Sequence, residues 1–219
     1  KANLVALNLV MLGPPGAGKG TQASRLAQSR GVPHISTGEI LREAVQAGTD
    51  LGRKAKMVIE AGQLVSDEIM IDIVNDRLGK DDARHGFLLD GFPRTVSQAD
   101  ALDNMLGGRE PLVVIDLSVN DDELVRRLST RRMCESCGAI TGSVNGRQTA
   151  TCGTCGGALK QRSDDREDVV RQRLIVYRQR TEPLIGYYQQ RPTFRSVDGS
   201  QDEEAVAALV GAAVDGVTS

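Results

Sequence analysis

Residues Gly13-Pro14-Pro15-Gly16-Ala17-Gly18-Lys19-Gly20-Thr21 directly follow the apolar run Leu7–Leu12, and this junction constrains the fold more than any other part of the chain. A Gly-rich loop leading from a strand into a helix start aims several backbone N–H groups at one anion, and the helix dipole adds to their field. Side chains at the glycine positions would block the approach of a phosphate. Lys19 supplies the charge that reaches the outer phosphates. The common form of the loop has Ser or Thr directly after the Lys, whereas here Gly20 intervenes and Thr21 follows. No Gly-x-Gly-x-x-Gly spacing can be drawn, which excludes a dinucleotide-binding turn.

Beyond the loop, short apolar runs alternate with amphipathic stretches. Candidate strands are Leu7–Leu12, Val32–Ile35, Gly86–Leu89, Leu112–Leu117 and Phe194–Val197. The fourth is nearly continuous in apolar character, as a strand buried on both faces is. Ser36-Thr37-Gly38-Glu39 and Asn120-Asp121-Asp122-Glu123 each place a capping oxygen three residues before a Glu, the signature of a helix start. The alternation predicts an α/β fold, a five-stranded parallel sheet wrapped by helices. With three Phe, three Tyr and no Trp, its core must be aliphatic.

One segment breaks the rhythm. Met133–Lys160 holds all four cysteines, much Gly, Thr and Ser, and little helical periodicity, and it reads as an inserted small subdomain. Cys134-x-x-Cys137-Gly and Cys152-x-x-Cys155-Gly form two knuckles separated by fourteen residues. Four thiolates in this spacing suit tetrahedral zinc, with iron in the same sulfur cage and a pair of disulfides as the alternatives. With every position filled by protein, such a metal is structural, since no open site remains for water.

Bulk charge limits the partners. Twenty-seven basic and 29 acidic side chains leave a formal net charge of −2, without the surplus a nucleic-acid binder carries. No apolar stretch approaches the ~20 residues of a membrane span. The apolar N-terminal stretch reads as a buried first strand rather than a leader, because two Asn interrupt it and no small-residue cleavage pattern follows. That Lys rather than Met stands at position 1 reads as a numbering choice.

The loop and four further segments together resemble the bacterial long-form adenylate kinases of the nucleoside-monophosphate kinase family. Those segments are His34-Ile35-Ser36-Thr37-Gly38-Glu39, Gln63-Leu64-Val65-Ser66-Asp67-Glu68, Gly86-Phe87-Leu88-Leu89-Asp90-Gly91-Phe92-Pro93-Arg94 and Pro183-Leu184-Ile185-Gly186-Tyr187-Tyr188. The resemblance implies a core of residues 1–35, 66–130 and 163–219, an AMP-binding subdomain of residues 36–65 and a zinc-binding lid of residues 131–162. It implies an AMP site lined by Thr37, Arg42, Gln63, Leu64, Val65, Gly91, Phe92, Pro93, Arg94, Gln98, Arg162 and Arg173. The ATP side matches Gly16, Ala17, Gly18, Lys19, Gly20, Thr21, Arg127, Arg131 and a backbone contact near Gln201, with base choice near Ile140, Thr141 and Gln201. Arg131, Arg162 and Arg173 match arginines that close over phosphates, and Asp164 and Asp165 match an acidic pair that ties the lid to the core. ATP, AMP and ADP, magnesium with ATP, a monomer and the cytoplasm are what the resemblance implies for partners, cofactor, assembly and location.

The residues agree with that chemistry independently. Phosphoryl transfer needs positioning and charge neutralisation far more than covalent help. Lys19, Arg94, Arg131, Arg162 and Arg173 offer the charge, and Arg forks suit phosphate oxygens. Asp90, at the end of a strand beside the loop, is where magnesium or its waters would be held. Neither histidine, His34 or His85, stands out as a general base; packing or surface roles are expected of both. A phosphate acceptor, already anionic, needs no base, whereas an alcohol does. The rival readings are a UMP/CMP kinase, which resembles this chain with a much shorter lid, a GTP-preferring AMP kinase, and a zinc-ribbon ATPase that binds nucleic acid.

Overall fold

The computed structural model describes residues 7–108, 111–141 and 150–218 of the chain. Residues 1–6 of the N-terminal apolar stretch and residues 142–149 of the cysteine-rich segment therefore lie outside the described residues. The strands are β1 Leu7–Leu12, β2 His34–Ser36, β3 Gly86–Asp90, β4 Leu112–Ser118, β5 Arg132–Cys134, β6 Ile140–Thr141, β7 Leu159–Lys160 and β8 Phe194–Asp198. The helices are α1 Lys19–Arg30, α2 Thr37–Gln46, α3 Asp50–Glu60, α4 Asp67–Leu78, α5 Val96–Leu106, α6 Asp121–Thr130, α7 Glu167–Val176, α8 Pro183–Tyr188 and α9 Glu203–Thr218. A π-helical turn, Tyr177–Thr181, follows α7.

Five strands form one parallel sheet in the order β2-β3-β1-β4-β8. Successive side chains of a strand point to opposite faces, and both faces here are apolar. Val10 and Leu12 join Ile35, Phe87, Leu89 and Val114 under α4 and α5, while Leu9 and Met11 join Leu88, Val113, Ile115 and Leu117 under α1 and α9. The two aliphatic layers hold β1 and β4 rigid. The ends of five parallel strands thus become the fixed frame on which a ligand site can be built.

Both sequence-predicted helix starts have the expected caps. Ser36 Oγ accepts from the Glu39 N–H at 3.4 Å, and Asn120 Oδ1 accepts from the Glu123 N–H at 3.0 Å. The strand β2 begins two residues later than the apolar run suggests, because Pro33 lacks an N–H and serves the sheet as an acceptor, taking a hydrogen bond from Leu88 N at 2.9 Å. The cysteine-rich segment carries its own antiparallel sheet, β6-β5-β7, separate from the main one.

Candidate active site

The phosphate loop leaves the carboxyl end of β1, where Met11 is in register with Asp90 of β3. Gly13 adopts φ +133°, and a Cβ there would lie 2.6 Å from the Leu117 carbonyl oxygen, so the loop starts in a space only glycine fits. The helix α1 opens with no side-chain cap on Gly18, which leaves its first N–H groups to serve an anion. Lys19 Nζ donates to the carbonyls of Gly13 and Pro14 at 2.7 and 2.8 Å, so the cation curls back over the loop. Burial pulls its pKa down to about 8, with Arg94, Arg173 and Arg131 adding repulsion and Asp90 opposing them.

Asp90 and Gly91 form the other lip. Burial works against the charge of Asp90, but His34, Lys19 and Arg94 outweigh it and hold its pKa below the ordinary carboxylate value. His34 Nε2 is buried, makes no hydrogen bond and stands 3.8 Å from Asp90 Oδ2. Pairing of β2 with β3 puts His34 there, so this histidine faces the site carboxylate. Gly91 has φ +83°, and a Cβ would lie 2.7 Å from Thr37 Oγ1 and 2.9 Å from an Arg94 guanidinium nitrogen. The missing side chain lets Thr37 donate to the Gly91 carbonyl at 2.9 Å while Arg94 Nε donates to the same oxygen at 2.8 Å.

Two cavities meet at this point. The first is lined by Leu41, Ile59, Gln63, Leu64 and Pro93 among others, the second by Gly16, Gly18, Gly20, Thr21, Asp90, Arg126, Arg127, Arg131, Ile140 and Thr141. Lys19, Arg42, Arg94, Arg162 and Arg173 line both. Five cations thus converge where the cavities join. Burial depresses the pKa of Arg42 and of Arg173 to about 10, each beside another arginine, yet both stay charged at neutral pH. A concentration of positive charge this desolvated calls for an anion of high charge.

Carboxylates hold the arginines apart. Arg162 Nε donates to Asp164 Oδ1 at 2.8 Å, Arg131 Nε donates to Asp165 Oδ2 at 2.7 Å, and Arg173 donates to the Asp164 carbonyl at 2.9 Å. Burial opposes the Asp164 charge, but Arg173 and Arg162 overcome it and push that pKa well below the usual range.

Other sequence-predicted residues sit around this frame. Ala17, Thr37, Phe92 and Gln98 are buried and Val65 packs on the core, so each offers the cavities little surface. Gln201 is exposed and outside both cavities, but Arg127 nearby donates to the Gly199 and Ser200 carbonyls at 2.8 and 3.2 Å. Arg42 lines both cavities rather than the first alone. Sequence reasoning passed over Asp67, whose carboxylate accepts from Thr95 and Gln98, and Thr181, which donates to the Arg94 carbonyl at 2.9 Å. For Asp67 the signal was available in part, since an acidic residue at a helix start can look outward as well as to its own helix.

In the second sheet, Gly138 N donates to the Cys134 carbonyl at 3.0 Å and Gly156 N to the Cys152 carbonyl at 2.8 Å, closing two similar turns. The four sulfur atoms lie within 4.8 Å of one another. Cys134 and Cys155 are 3.5 Å apart and Cys137 and Cys152 are 3.7 Å apart. A tetrahedral ion with Zn–S of about 2.3 Å has sulfur–sulfur edges of about 3.8 Å, so the set fits such an ion. Backbone N–H groups of Cys155 and Thr154 draw the Cys152 pKa down to about 6, favouring the ligating thiolate. The donor set on the phosphate side is of the hard kind, with the ionised Asp90 and the Thr21 hydroxyl both lining the second cavity, and it suits magnesium. Among the described residues, no helix is long and apolar enough to cross a membrane.

Comparison with known proteins places this geometry in context. Residues 11–193 match the family described as Adenylate kinase. The adenylate kinase of Archaeoglobus fulgidus is 50% identical over 204 residues, covering 91% of this chain and 94% of that protein. That of Moorella thermoacetica is 50% identical over 213 residues, covering 95% of this chain and 98% of its own length. The Kosmotoga olearia adenylate kinase is 48% identical over 204 residues, with 91% and 95% covered.

Proposed function

Because the chain belongs to the adenylate kinase family, we propose that its first cavity holds AMP, its second holds magnesium-bound ATP, and the shared cations neutralise the phosphoryl group as it passes from ATP to AMP. The chain is a nucleoside-monophosphate phosphotransferase, and the adenylate kinase name shared by the matching family and these relatives weighs against the UMP/CMP kinase and nucleic-acid ATPase readings. The observation that carries the division of labour is the set Lys19, Arg42, Arg94, Arg162 and Arg173, common to both cavities. A donor phosphate meeting an acceptor phosphate needs cations on both sides, which is what the shared set supplies.

The backbone N–H groups of residues 16–21 cradle the ATP phosphates, with Lys19 on the outermost and Arg127 and Arg131 alongside. Ile140, Thr141 and the backbone near Gln201 border the ATP base. On the other side, Gln63, Leu64 and Val65 flank the acceptor nucleoside, Thr37 and Gln98 meet its base, and Arg42 and Arg94 orient its phosphate. That phosphate is already anionic, so its oxygen attacks without a general base. Arg162 and Arg173 draw charge from the transferring group, which gains most where bonds are half made. Asp90 and Thr21 would hold magnesium, which when bound supplies charge neutralisation to the ATP phosphates.

Residues 131–162 act as a lid, residues 36–65 as the acceptor-binding subdomain and the remainder as the core, with Asp164 and Asp165 tying lid to core. The four cysteines hold structural zinc. A monomer in the reducing cytoplasm, where four thiols stay available to ligate a metal, belongs to the same reading. The test is a coupled assay with γ-labelled ATP against AMP, UMP, CMP and GMP. Label should appear in the β-position of newly formed ADP with AMP preferred; a faster reaction with UMP or CMP would overturn the acceptor assignment.

A further inference from the structure

We propose that Asp67 is the specificity-determining positioning residue of the acceptor site. It locks the Gln98 side-chain amide in the one orientation that reads adenine and refuses a 6-oxopurine. The proposal rests on the reading above that the acceptor base meets Gln98.

The lock is visible in the hydrogen bonds. Gln98 Nε2 donates to Asp67 Oδ1 at 2.8 Å, and Gln98 Oε1 accepts from the Arg94 backbone N–H at 2.7 Å. A carboxylate can only accept and a backbone N–H can only donate, so each partner independently dictates which end of the amide it faces. Turning the amide over would put its oxygen against a carboxylate and its NH2 against an N–H, losing both bonds in a site that is 1% exposed. Asp67 is held in turn. Its Oδ2 accepts from the Thr95 hydroxyl at 2.9 Å, and Thr95 Oγ1 accepts from Gln98 N at 3.2 Å as the cap of α5.

An amide has two hydrogens on nitrogen and two lone pairs on oxygen, and the network uses one of each. One donor and one acceptor remain for a base. Adenine presents a 6-amino donor beside an N1 acceptor, and a Gln amide in a fixed orientation matches that pair. Guanine and hypoxanthine present the reverse, a 6-oxo acceptor beside an N1–H donor, which matches only the flipped amide. Base selection therefore reduces to the orientation of one side chain, and Asp67 makes the flip costly. The neighbouring Pro93, Arg94, Gln63 and Leu64 all line the first cavity, so the locked amide stands beside the acceptor site.

The test uses IMP as the probe, because it differs from AMP only in that edge. The ratio of kcat/KM for AMP to that for IMP is measured in the wild type, in Asp67→Asn and in Gln98→Leu, with the KM for ATP and a melting curve as checks on the fold. Asn at position 67 can donate or accept, so in that variant only the Arg94 N–H still opposes the turn of the amide. In Asp67→Asn the AMP/IMP ratio should fall about tenfold, with the KM for ATP unchanged. If Gln98→Leu loses AMP binding but Asp67→Asn keeps the wild-type ratio, the lock is wrong while the acceptor site stands. If Gln98→Leu leaves the KM for AMP untouched, Gln98 does not meet the base, and the underlying reading falls together with the lock. Should Asp67→Asn melt below the assay temperature, Asp67→Ser, whose hydroxyl also donates or accepts, gives the same readout.

Discussion

Arg131 Nε donates to Asp165 Oδ2 at 2.7 Å across the junction of α6 and the cysteine-rich segment, and the Asp165 side chain has no solvent exposure. Arg131 is the last residue before β5, and Asp165 follows β7, so this pair clamps the two ends of the inserted segment to each other. Removing one member of a buried pair strands the other charge. Asp165→Ala should therefore cost about 3–5 kcal/mol, whereas the double variant with Arg131→Ala should cost less than the sum of the two single ones. Urea unfolding of the four proteins gives the coupling, and strict additivity would remove the clamp.

Lys19→Met should leave the fold intact and lower kcat by the ~2.7–4 kcal/mol that loss of a single charge-stabilising donor costs. Retention of more than about a tenth of kcat would end the assigned role. The same residue sets a pH limit. With its pKa drawn down by burial to about 8, Lys19 of the free enzyme loses its proton as pH rises through that value. Hence kcat/KM for ATP should fall above about pH 8, and the same limb should vanish in Lys19→Met.

Asp116 tests the energetics of the core. It sits on β4 with 4% exposure, and burial raises its carboxylate pKa, with Glu182 adding to the effect and Lys19 opposing it. A raised carboxylate pKa means that the folded state disfavours the charge. No penalty exists below the unfolded value of about 3.9, where both states are protonated; it grows from there until pH reaches the folded value and then levels off. Asp116→Asn should raise the melting temperature by about 2–4 °C at pH 7, the shift that about 1 kcal/mol produces in a chain of this size. Near pH 4 the gain should shrink; an equal gain at both pH values would assign it to packing instead.

Cys152→Ser should lower zinc content and melting temperature without abolishing folding. Among the described residues the inserted segment has three short strands, and Cys134 and Cys152 are its buried side chains. Such a segment cannot offset ordering entropy of roughly 1–2 kcal/mol per residue by burial alone. The main sheet has its own aliphatic layers on both faces and needs no metal. Metal analysis beside a melting curve decides the matter. Full zinc occupancy in the variant, or a wild type free of zinc whose melting ignores added zinc, would defeat the prediction.

Arg42→Ala should raise the KM for AMP by at least tenfold, about 1.4 kcal/mol, with a smaller change for ATP. Arg42 lies on α2 above Gly38 and lines both cavities, so some fall in kcat should accompany the loss of AMP binding. Equal effects on the two KM values would move Arg42 out of the acceptor site.

The parts legible in the sequence are those whose physics is local. The loop before α1, the Ser36 and Asn120 caps and the two cysteine turns each depend on neighbours within a few residues, so spacing alone locates them. The double-sided burial of β4 was legible for a related reason, since a strand covered on both faces cannot alternate. His34 shows where that reading stops. At one end of a short strand its side chain could face either layer or the site, and only the parallel register of β2 on β3 turns it to Asp90.

By itself, the sequence determined that the chain binds a nucleotide phosphate on a parallel sheet and carries a thiolate cage, because those features are written in contiguous residues. The tertiary structure alone decided how distant groups share the site. Lys19, Arg42, Arg94, Arg162 and Arg173 come from five separate stretches, and nothing in their spacing says that one junction collects them. The same holds for Asp67 with Gln98 and for Arg131 with Asp165, pairs made across intervening elements. Their partners follow from chain closure and from the cost of burying an unpaired polar group, and both are settled only when the whole chain packs.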